Sequence, residues 1–209
     1  LGRKVSSGEV RSLDEALSLG LPLLESEIVD VLLPNLSSEL LNIGQMKGKF
    51  GGGKRRAFKQ TQRKTQEGNS ISFSTLAVVG NLDGFVGIGF GKSRETVPAR
   101  EKAFRNAKIN VIKIRRGSGS WKGADPSRPH SIPFTVRGKC GSTEITLIPA
   151  PKGTGLCVEK ECQTVLRLAG ISDIWSRSRG KTRVKYNLVQ ACIEALKQTV
   201  EMKTFSKDG

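Results

Sequence analysis

The sequence predicts an α+β protein of two domains. Strand-length apolar runs lie between turn signals at residues 71–79, 85–91, 132–139 and 142–149. Apolar residues at helical spacing follow in both halves, at 96–111, 159–169 and 187–203. A Gly/Pro/Ser-rich break begins at Gly117 and separates the halves. Because 209 residues suffice for one large domain or two small ones, the break favours two.

The segments follow from these patterns. We expect an N-terminal extension, a β-β-β-α domain, a linker loop and a C-terminal α/β domain, at residues 1–43, 44–116, 117–130 and 131–209. The extension is acidic, with three cationic and seven acidic residues. Ser12 followed by Glu15 has the spacing of a capping box, which predicts a short helix near 12–19. We interpret this extension as a segment that docks on a partner or on the domain behind it.

The first domain begins in a basic stretch. Residues 46–66 hold eight lysines and arginines around Gly51–Gly53 and no acidic residue. This is typical either of a disordered linker or of a strand with a basic end that orders on RNA, and we favour the strand. Residues 67–70 then turn the chain into a strand at 71–79, with Phe73, Ala77 and Val79 on one face.

A hairpin and a helix complete this domain. The turn 81–84 joins two apolar runs, and the second run carries Gly87, Gly89 and Gly91, which are expected to permit strand packing and contact with RNA backbone. A helix is expected from about Thr96, where Pro98 is harmless in the first turn. Its expected apolar stripe is Val97, Phe104, Ala107 and Val111, with Ala103 beside them.

The second domain reads as a hairpin of two strands, a turn of special geometry at 149–155, a helix ending at Gly170, a strand at 171–176, and a last helix. Asn187 is the expected N-cap of that helix, which should reach about Lys203. Its stripe is Leu188, Ala191, Cys192, Ala195 and Thr199, so Cys192 is expected in the core.

Composition limits the function. The formal net charge of +16 implies a polyanionic partner. The chain contains no run of 18 apolar residues, the length needed to span a bilayer. Because the basic residues are also spread along the chain after residue 46, no membrane partner is expected. With 36% hydrophobic and 5% aromatic residues, the cores should be modest and aliphatic.

The patterns of familiar enzymes are not met. Val86 stands where a phosphate-binding P-loop needs glycine, and Lys92 stands where the dinucleotide fingerprint needs one. The four cysteines form no C-x-x-C pair and the chain has a single histidine, His130, so neither a metal nor a cofactor is expected, and the thiols should be reduced. We expect a polar loop position near RNA for His130 rather than catalysis.

Phosphate contacts are expected instead, because cations cluster beside turns and along one helix. Trp121 and Trp175 lie next to basic residues and could stack on unpaired bases or be half-buried at a domain edge. Residues 176–183 read as a loop of alternating cations. The candidate RNA-binding residues are Lys54, Arg55, Arg56, Lys59, Arg63, Lys64, Gly68, Gly87, Gly89, Gly91, Lys92, Arg94, Lys102, Arg105, Lys108, Arg115, Arg116, Lys122, Arg128, His130, Lys152, Arg177, Arg179 and Lys181.

Several motifs together resemble the universal small-subunit ribosomal protein number five family, in its archaeal and eukaryotic version. They span nearly the whole chain: Leu1-Gly2-Arg3, Glu27-Ile28-Val29-Asp30, Gly84-x-Val86-Gly87-x-Gly89-x-Gly91-Lys92-Ser93-Arg94-Glu95, Arg128-Pro129-His130-Ser131-Ile132-Pro133, Gly138-Lys139-Cys140-Gly141-Ser142, Pro149-Ala150-Pro151-Lys152-Gly153-Thr154-Gly155-Leu156, and Leu168-Ala169-Gly170-Ile171-x-Asp173.

The resemblance implies a first domain like the double-stranded-RNA-binding fold and a second with a left-handed βαβ crossover. It implies a structural, non-enzymatic role on the small ribosomal subunit in the cytoplasm, near the messenger entry side and the neck, supporting assembly and translational accuracy. The implied partners are small-subunit rRNA, the second, third and fourth universal small-subunit proteins, and messenger RNA near the entry channel. It also places the family's RNA-contacting hairpin loop at about Arg63 to Ser70.

Two other functions fit parts of the pattern. A free-standing double-stranded-RNA-binding regulator or ribosome assembly factor would share the charge and the first domain. A nucleotide-using enzyme could share the fold type of the second domain, but the failed glycine spacing and the scarce carboxylates argue against it.

Overall fold

A computed structural model describes residues 1–20, 22–45, 55–118 and 129–200. The chain forms two compact units, Leu1–Ile112 and Lys113–Gly209. Several expectations fall outside the described residues: the glycine cluster 51–53, Lys54, and the loop with Trp121, Lys122 and Arg128.

The first unit is built on a five-stranded sheet: β1 Ser37–Leu41, β2 Lys59–Thr65, β3 Gly68–Gly80, β4 Phe85–Ser93 and β5 Val111–Lys113. The order is β1-β3-β4-β5, with β2 also on β3. The long β3 pairs antiparallel with β2 along its first half and with β1 along its second half. Its other edge pairs with β4. The predicted three strands are confirmed, and β1 adds a strand from the stretch interpreted as an extension.

One helix, α4 Thr96–Ile109, covers one face of this sheet. It begins at the predicted Thr96, and its buried stripe is Ala99, Ala103 and Ala107. Val97 was wrongly included in the stripe, since it is 63% exposed. The glycines of β4 let α4 approach the sheet closely. This close approach leaves room only for small side chains on the helix face that meets the sheet.

Three short helices precede the sheet: α1 Gly2–Ser6, α2 Leu13–Ser18 and α3 Ser26–Leu32. The predicted capping residue is confirmed, because the side chain of Ser12 accepts a hydrogen bond from the backbone N–H of Glu15. Val5, Leu13, Ala16 and Val29 from these helices share a buried apolar cluster with Ala103 and other residues of the sheet and α4. Apolar burial therefore holds this acidic stretch on the first unit.

The second unit contains β6 Val136–Cys140, β7 Thr143–Pro149, β8 Leu156–Cys157, α5 Lys160–Leu168, β9 Ile174–Arg179 and α6 Lys185–Lys197. The strand order is β6-β7-β9-β8. β8 and β9 are parallel and α5 joins them, which forms a βαβ unit. Helix α6 packs on β6 and β7. The predicted hairpin of β6 and β7 is confirmed.

The bounds of three elements in the second unit differ from the predictions. The first strand begins at Val136 rather than Ile132, and Pro133, which lacks an N–H, lies in the excluded stretch. β9 begins at Ile174 and runs to Arg179, later than predicted at both ends. α6 begins at Lys185 with Val184 as its N-cap, so Asn187 is not the cap, and the helix ends at Lys197 rather than near Lys203. Asn187 lies inside the first turn instead.

The cysteines are free thiols, and Cys162 and Cys192 are fully buried. Cys192 lies in the core as predicted, on the buried stripe of α6. A hydrogen bond with Cys192, together with burial, raises the pKa of the Cys162 thiol. The folded state therefore keeps this thiol protonated where an unfolded chain would lose the proton.

This raised pKa predicts a loss of stability at alkaline pH. The contribution is fully present below the unfolded-state pKa of about 8.5 and falls as pH rises above it, by about 1 kcal/mol for each further pH unit. Urea unfolding at pH 7.5 and pH 9.5 should show a larger decrease for the natural chain than for Cys162→Ala. Equal decreases in both proteins would contradict the assignment.

Among the described helices, none is long and apolar enough to cross a membrane.

Candidate nucleic-acid interface

The hairpin of β2 and β3 extends to a two-residue turn. Its register pairs Arg63 with Ser70, Lys64 with Asn69 and Thr65 with Gly68. Gly68 has a φ of +120°, and the Thr65 hydroxyl donates to the Gly68 carbonyl at 2.7 Å. The expected loop from Arg63 to Ser70 is therefore wrong: most of it is paired strand, because β-branched and hydroxyl residues on β3 continue the ladder.

The same register gathers three predicted cations on one sheet face. Ser74 of β3 lies opposite both Lys59 and Lys92. Arg63 lies two pleat repeats further along β2 than Lys59, so its side chain shares their face. All three cationic side chains are exposed, on the face away from α4. We call Lys59, Arg63 and Lys92 the cationic face. Since no acidic residue stands opposite them in the ladder, a phosphate backbone would supply the missing negative charge.

An open groove surrounds the hairpin tip. It has a volume of about 1010 Å³ and is lined by residues 63–71 and Arg94. Arg63, Lys64, Gly68 and Arg94 were all predicted site residues, and the fold brings them together here. Glu67 at the turn places one carboxylate among these cations.

Helix α4 presents Lys102 and Arg105 to solvent, as expected. Lys108 is different, because its Nζ lies 2.6 Å from a carboxylate oxygen of Asp30 on α3. The charge of Lys108 is thus engaged within the first unit. Its inclusion among the phosphate contacts overlooked this acidic partner, which is 78 residues away in sequence.

The glycines of β4 are approached by protein. A Cβ placed on Gly87, Gly89 or Gly91 would overlap backbone atoms of α4. For Gly91 the overlap is with the Ala99 carbonyl oxygen, and the Ala103 nitrogen would lie 2.6 Å away. The strand packing and RNA contact expected at these glycines are corrected: α4 makes the close approach, and the helix occupies the space that an RNA backbone would need on that side.

The second unit also has an open sheet face. Cross-strand pairing places Arg137 and Arg177 on either side of Thr146, and Lys139 and Arg179 on either side of Glu144. The opposite face carries Val136, Ile145 and Leu147, which are buried. Arg137 and Lys139 have side chains 63% and 67% exposed. Neither residue is among the candidates named from the sequence, although the spacing Arg137-x-Lys139 is typical of a strand with one exposed face.

Glu144 is central on this face. Arg137 donates a hydrogen bond to its carboxylate, and Lys139 Nζ lies 3.5 Å from the other oxygen. The Arg137 hydrogen bond lowers the pKa of Glu144, with added attraction from Lys139. One carboxylate facing four cations leaves this face positively charged. The predicted cationic loop at 176–183 is wrong in its first half, because residues up to Arg179 belong to β9.

Trp175 lies on the same open face, two residues before Arg177, and is 44% exposed. This matches either a base-stacking or an edge position. Lys181 follows β9 and Lys152 lies in the turn before β8, and both are exposed. Gly153 and Gly155 in that turn have φ of +90° and +75°, which accounts for the glycines there.

His130 is not a surface residue. Its side chain is 14% exposed, and its Nδ1 lies 3.0 Å from Asp173, whose side chain is 6% exposed. Asp173 also accepts a hydrogen bond from the Gly155 N–H at 2.8 Å, and the His130 carbonyl accepts from the N–H groups of Ser172 and Asp173. The expected loop position near RNA is corrected to an internal position that ties three loops of the second unit together.

Asp173→Ala should therefore destabilise the second unit by about 2 kcal/mol, because it removes the acceptor of the part-buried Gly155 N–H and the carboxylate that lies beside the His130 Nδ1. Urea unfolding followed by circular dichroism measures this. Lys152→Ala, an exposed residue in the turn that carries Gly155, is the control and should cost less than about 0.5 kcal/mol. Equal losses of stability in the two variants would show that Asp173 does not hold these loops together.

The remaining predicted residues divide into two groups. Arg116 donates to the Gly170 carbonyl at 3.5 Å, and the backbone N–H of Arg115 donates to Thr199. Arg115 and Arg56 have exposed side chains, while Arg55 is half-buried. Within the described residues, no group of three or more His, Cys, Asp and Glu side chains could hold a metal ion.

Two α+β units, each with exposed cations along a sheet, define a protein suited to a polyanionic partner. Family models agree with this class in detail. The model described as "Ribosomal protein S5, N-terminal domain" matches residues 54–115, and "Ribosomal protein S5, C-terminal domain" matches residues 138–208.

Full-length relatives extend the match. "Small ribosomal subunit protein uS5" of Thermofilum pendens is 47% identical over 96% of this chain and 92% of its own length. The protein of the same name in Nanoarchaeum equitans is 47% identical over 95% of this chain and 84% of its own length. The Methanothermobacter thermautotrophicus protein is 43% identical over 100% and 89%. The chain belongs to the ribosomal protein S5 family, as the sequence motifs indicated.

Proposed function

We propose that this protein is a structural constituent of the small ribosomal subunit, binds its rRNA and acts in the cytoplasm. The observation that carries the proposal is the similarity, over nearly the whole chain, to archaeal proteins named small ribosomal subunit protein uS5. The role is one of binding and positioning rather than catalysis.

The surface chemistry supports rRNA as the ligand. The cationic face, Lys102 and Arg105 on α4, and the open face of the second unit present exposed ammonium and guanidinium groups. Lysine and arginine neutralise phosphates and release counterions, and arginine can hold a phosphate by two parallel hydrogen bonds. Strand-borne cations are held at fixed spacing by the ladder, which favours recognition of RNA shape rather than of base sequence.

Finer features belong to the same proposal. The protein lies near the messenger entry side and the neck, next to the second, third and fourth universal small-subunit proteins and to messenger RNA at the entry channel. It supports subunit assembly and translational accuracy. The unpredicted cations Arg137 and Lys139 join Arg177 and Arg179 as candidate contacts, whereas Lys108, Arg116 and His130 act first within the protein.

Sedimentation of the native protein in a lysate gradient tests the proposal. At roughly 0.5 M salt, proteins held only by exposed charges are released. One copy per mature small subunit, also found in polysomes, is the expected result. Release to the top of the gradient, or presence only in precursor particles, would favour a free-standing RNA-binding regulator or an assembly factor.

A further inference from the structure

The two faces of β2 carry different chemistry. Lys59, Thr61 and Arg63 point to the cationic face, while Gln60 and Gln62 point to the side of the sheet that α4 covers. Gln60 and Gln62 are exposed, so α4 leaves this part of the face open. The alternation of cation and carboxamide is a direct consequence of the two-residue period of a strand.

A pocket of about 520 Å³ lies on the carboxamide side. Three glutamines, two phenylalanines, one arginine and one threonine line it: Gln45, Gln60, Gln62, Phe58, Phe73, Arg56 and Thr96. Gln60 lies directly opposite Phe73 in the ladder. The volume is within the range of about 300–1,000 Å³ that is typical of pockets for small-molecule ligands.

The walls of this pocket are fixed by backbone contacts. The Gly44 N–H donates to the Arg56 carbonyl at 2.7 Å. A Cβ on Gly44 would overlap the Phe58 carbonyl oxygen, so the two segments pack closely. The Thr75 hydroxyl donates to the Ala57 carbonyl at 3.1 Å and ties this stretch to β3.

We propose that this pocket, the amide–aromatic pocket, receives one unpaired base of an RNA strand that passes around the outer edge of β2, so that its phosphates meet the cationic face on the opposite side of the sheet. Phenylalanine rings stack on bases. Carboxamides offer one acceptor and two donors each, which match the edges of bases and above all of adenine. Arg56 supplies a cation for the adjoining phosphate. The inference rests on the proposed function, because it requires RNA bound to the same hairpin.

Dimethyl sulfate probing of the rRNA in small subunits assembled with variant proteins tests the pocket. In Gln60→Ala/Gln62→Ala, one base that the natural protein protects should become reactive. Phe73→Leu should expose the same base and keep an apolar side chain at that position. The control is Thr61→Val, which alters the other face of the same strand and should leave base reactivity unchanged.

Binding of an oligoadenylate that carries one 2-aminopurine gives a second readout with the purified full-length chain. Phe73→Leu should weaken binding by about 5- to 100-fold, the range that loss of a stacked base produces. The double glutamine variant should reduce the preference for oligoadenylate over oligouridylate. Both variants should retain the salt dependence of the natural protein, since the cationic face is intact.

Unchanged base reactivity in variants that still sediment with the subunit would overturn the pocket and leave the proposed function standing. The same holds if the variants instead reduce the amount of a neighbouring protein in the subunit, because the pocket would then receive a protein side chain. Failure of the natural protein to sediment with the subunit would overturn the proposed function, and this inference with it.

Discussion

Gly91→Ala should unfold the first unit or destabilise it by about 3 kcal/mol or more, because the new Cβ would overlap the backbone of α4. Neither a rotamer change nor a shift of one side chain can relieve a clash between Cβ and backbone. Helix α4 would have to move away from β4, and its contacts through Ala99, Ala103 and Ala107 would be lost. Urea unfolding and hydrogen exchange of the α4 amides measure the effect.

Gly20→Ala is the matched control in the same unit. Gly20 has a φ of +66° and nothing within 4 Å of the new Cβ, so only backbone strain of about 1 kcal/mol is expected. A Gly91→Ala protein no less stable than Gly20→Ala would show that α4 does not approach β4 as closely as described.

Charge reversal on the hairpin should produce the largest loss of RNA binding. Lys59→Glu/Arg63→Glu places two carboxylates on the cationic face and should weaken rRNA binding by at least ~100-fold, from two charge-assisted contacts of about 1.5 kcal/mol each. The slope of log K against log salt should become shallower by about two, since two phosphates are no longer neutralised. Titrations of rRNA at several salt concentrations measure both quantities.

Two comparisons make this result specific. Lys203→Glu/Lys207→Glu makes the same change of charge in the C-terminal stretch and should have a smaller effect. Arg115→Glu/Arg116→Glu is less informative, since Arg116 also contacts the Gly170 carbonyl. Equal losses in the hairpin and C-terminal variants would mean that total charge, and not the cationic face, determines binding.

The sequence determined much of the architecture because its signals are local. Turn residues placed the β3–β4 hairpin, where Asn81 Oδ1 accepts from the N–H groups of Asp83 and Phe85. Ser12 placed α2, and the apolar stripe of α6 placed its core face. Each of these features depends on residues within about one turn of helix or one hairpin, so the chemistry can be read in order along the chain.

The tertiary structure decided what each cation does. Lys59, Arg63 and Lys92 share a face only through the register of three strands, and Lys108 is neutralised by an aspartate 78 residues away. Gly87, Gly89 and Gly91 were expected to permit strand packing and RNA contact, but the backbone of α4 lies against them. His130 and Asp173 lie far apart in the sequence, yet they form an internal pair in the second unit. Charge and composition thus indicated a polyanionic partner, whereas strand pairing and distant partners determined which side chains remain free to meet it.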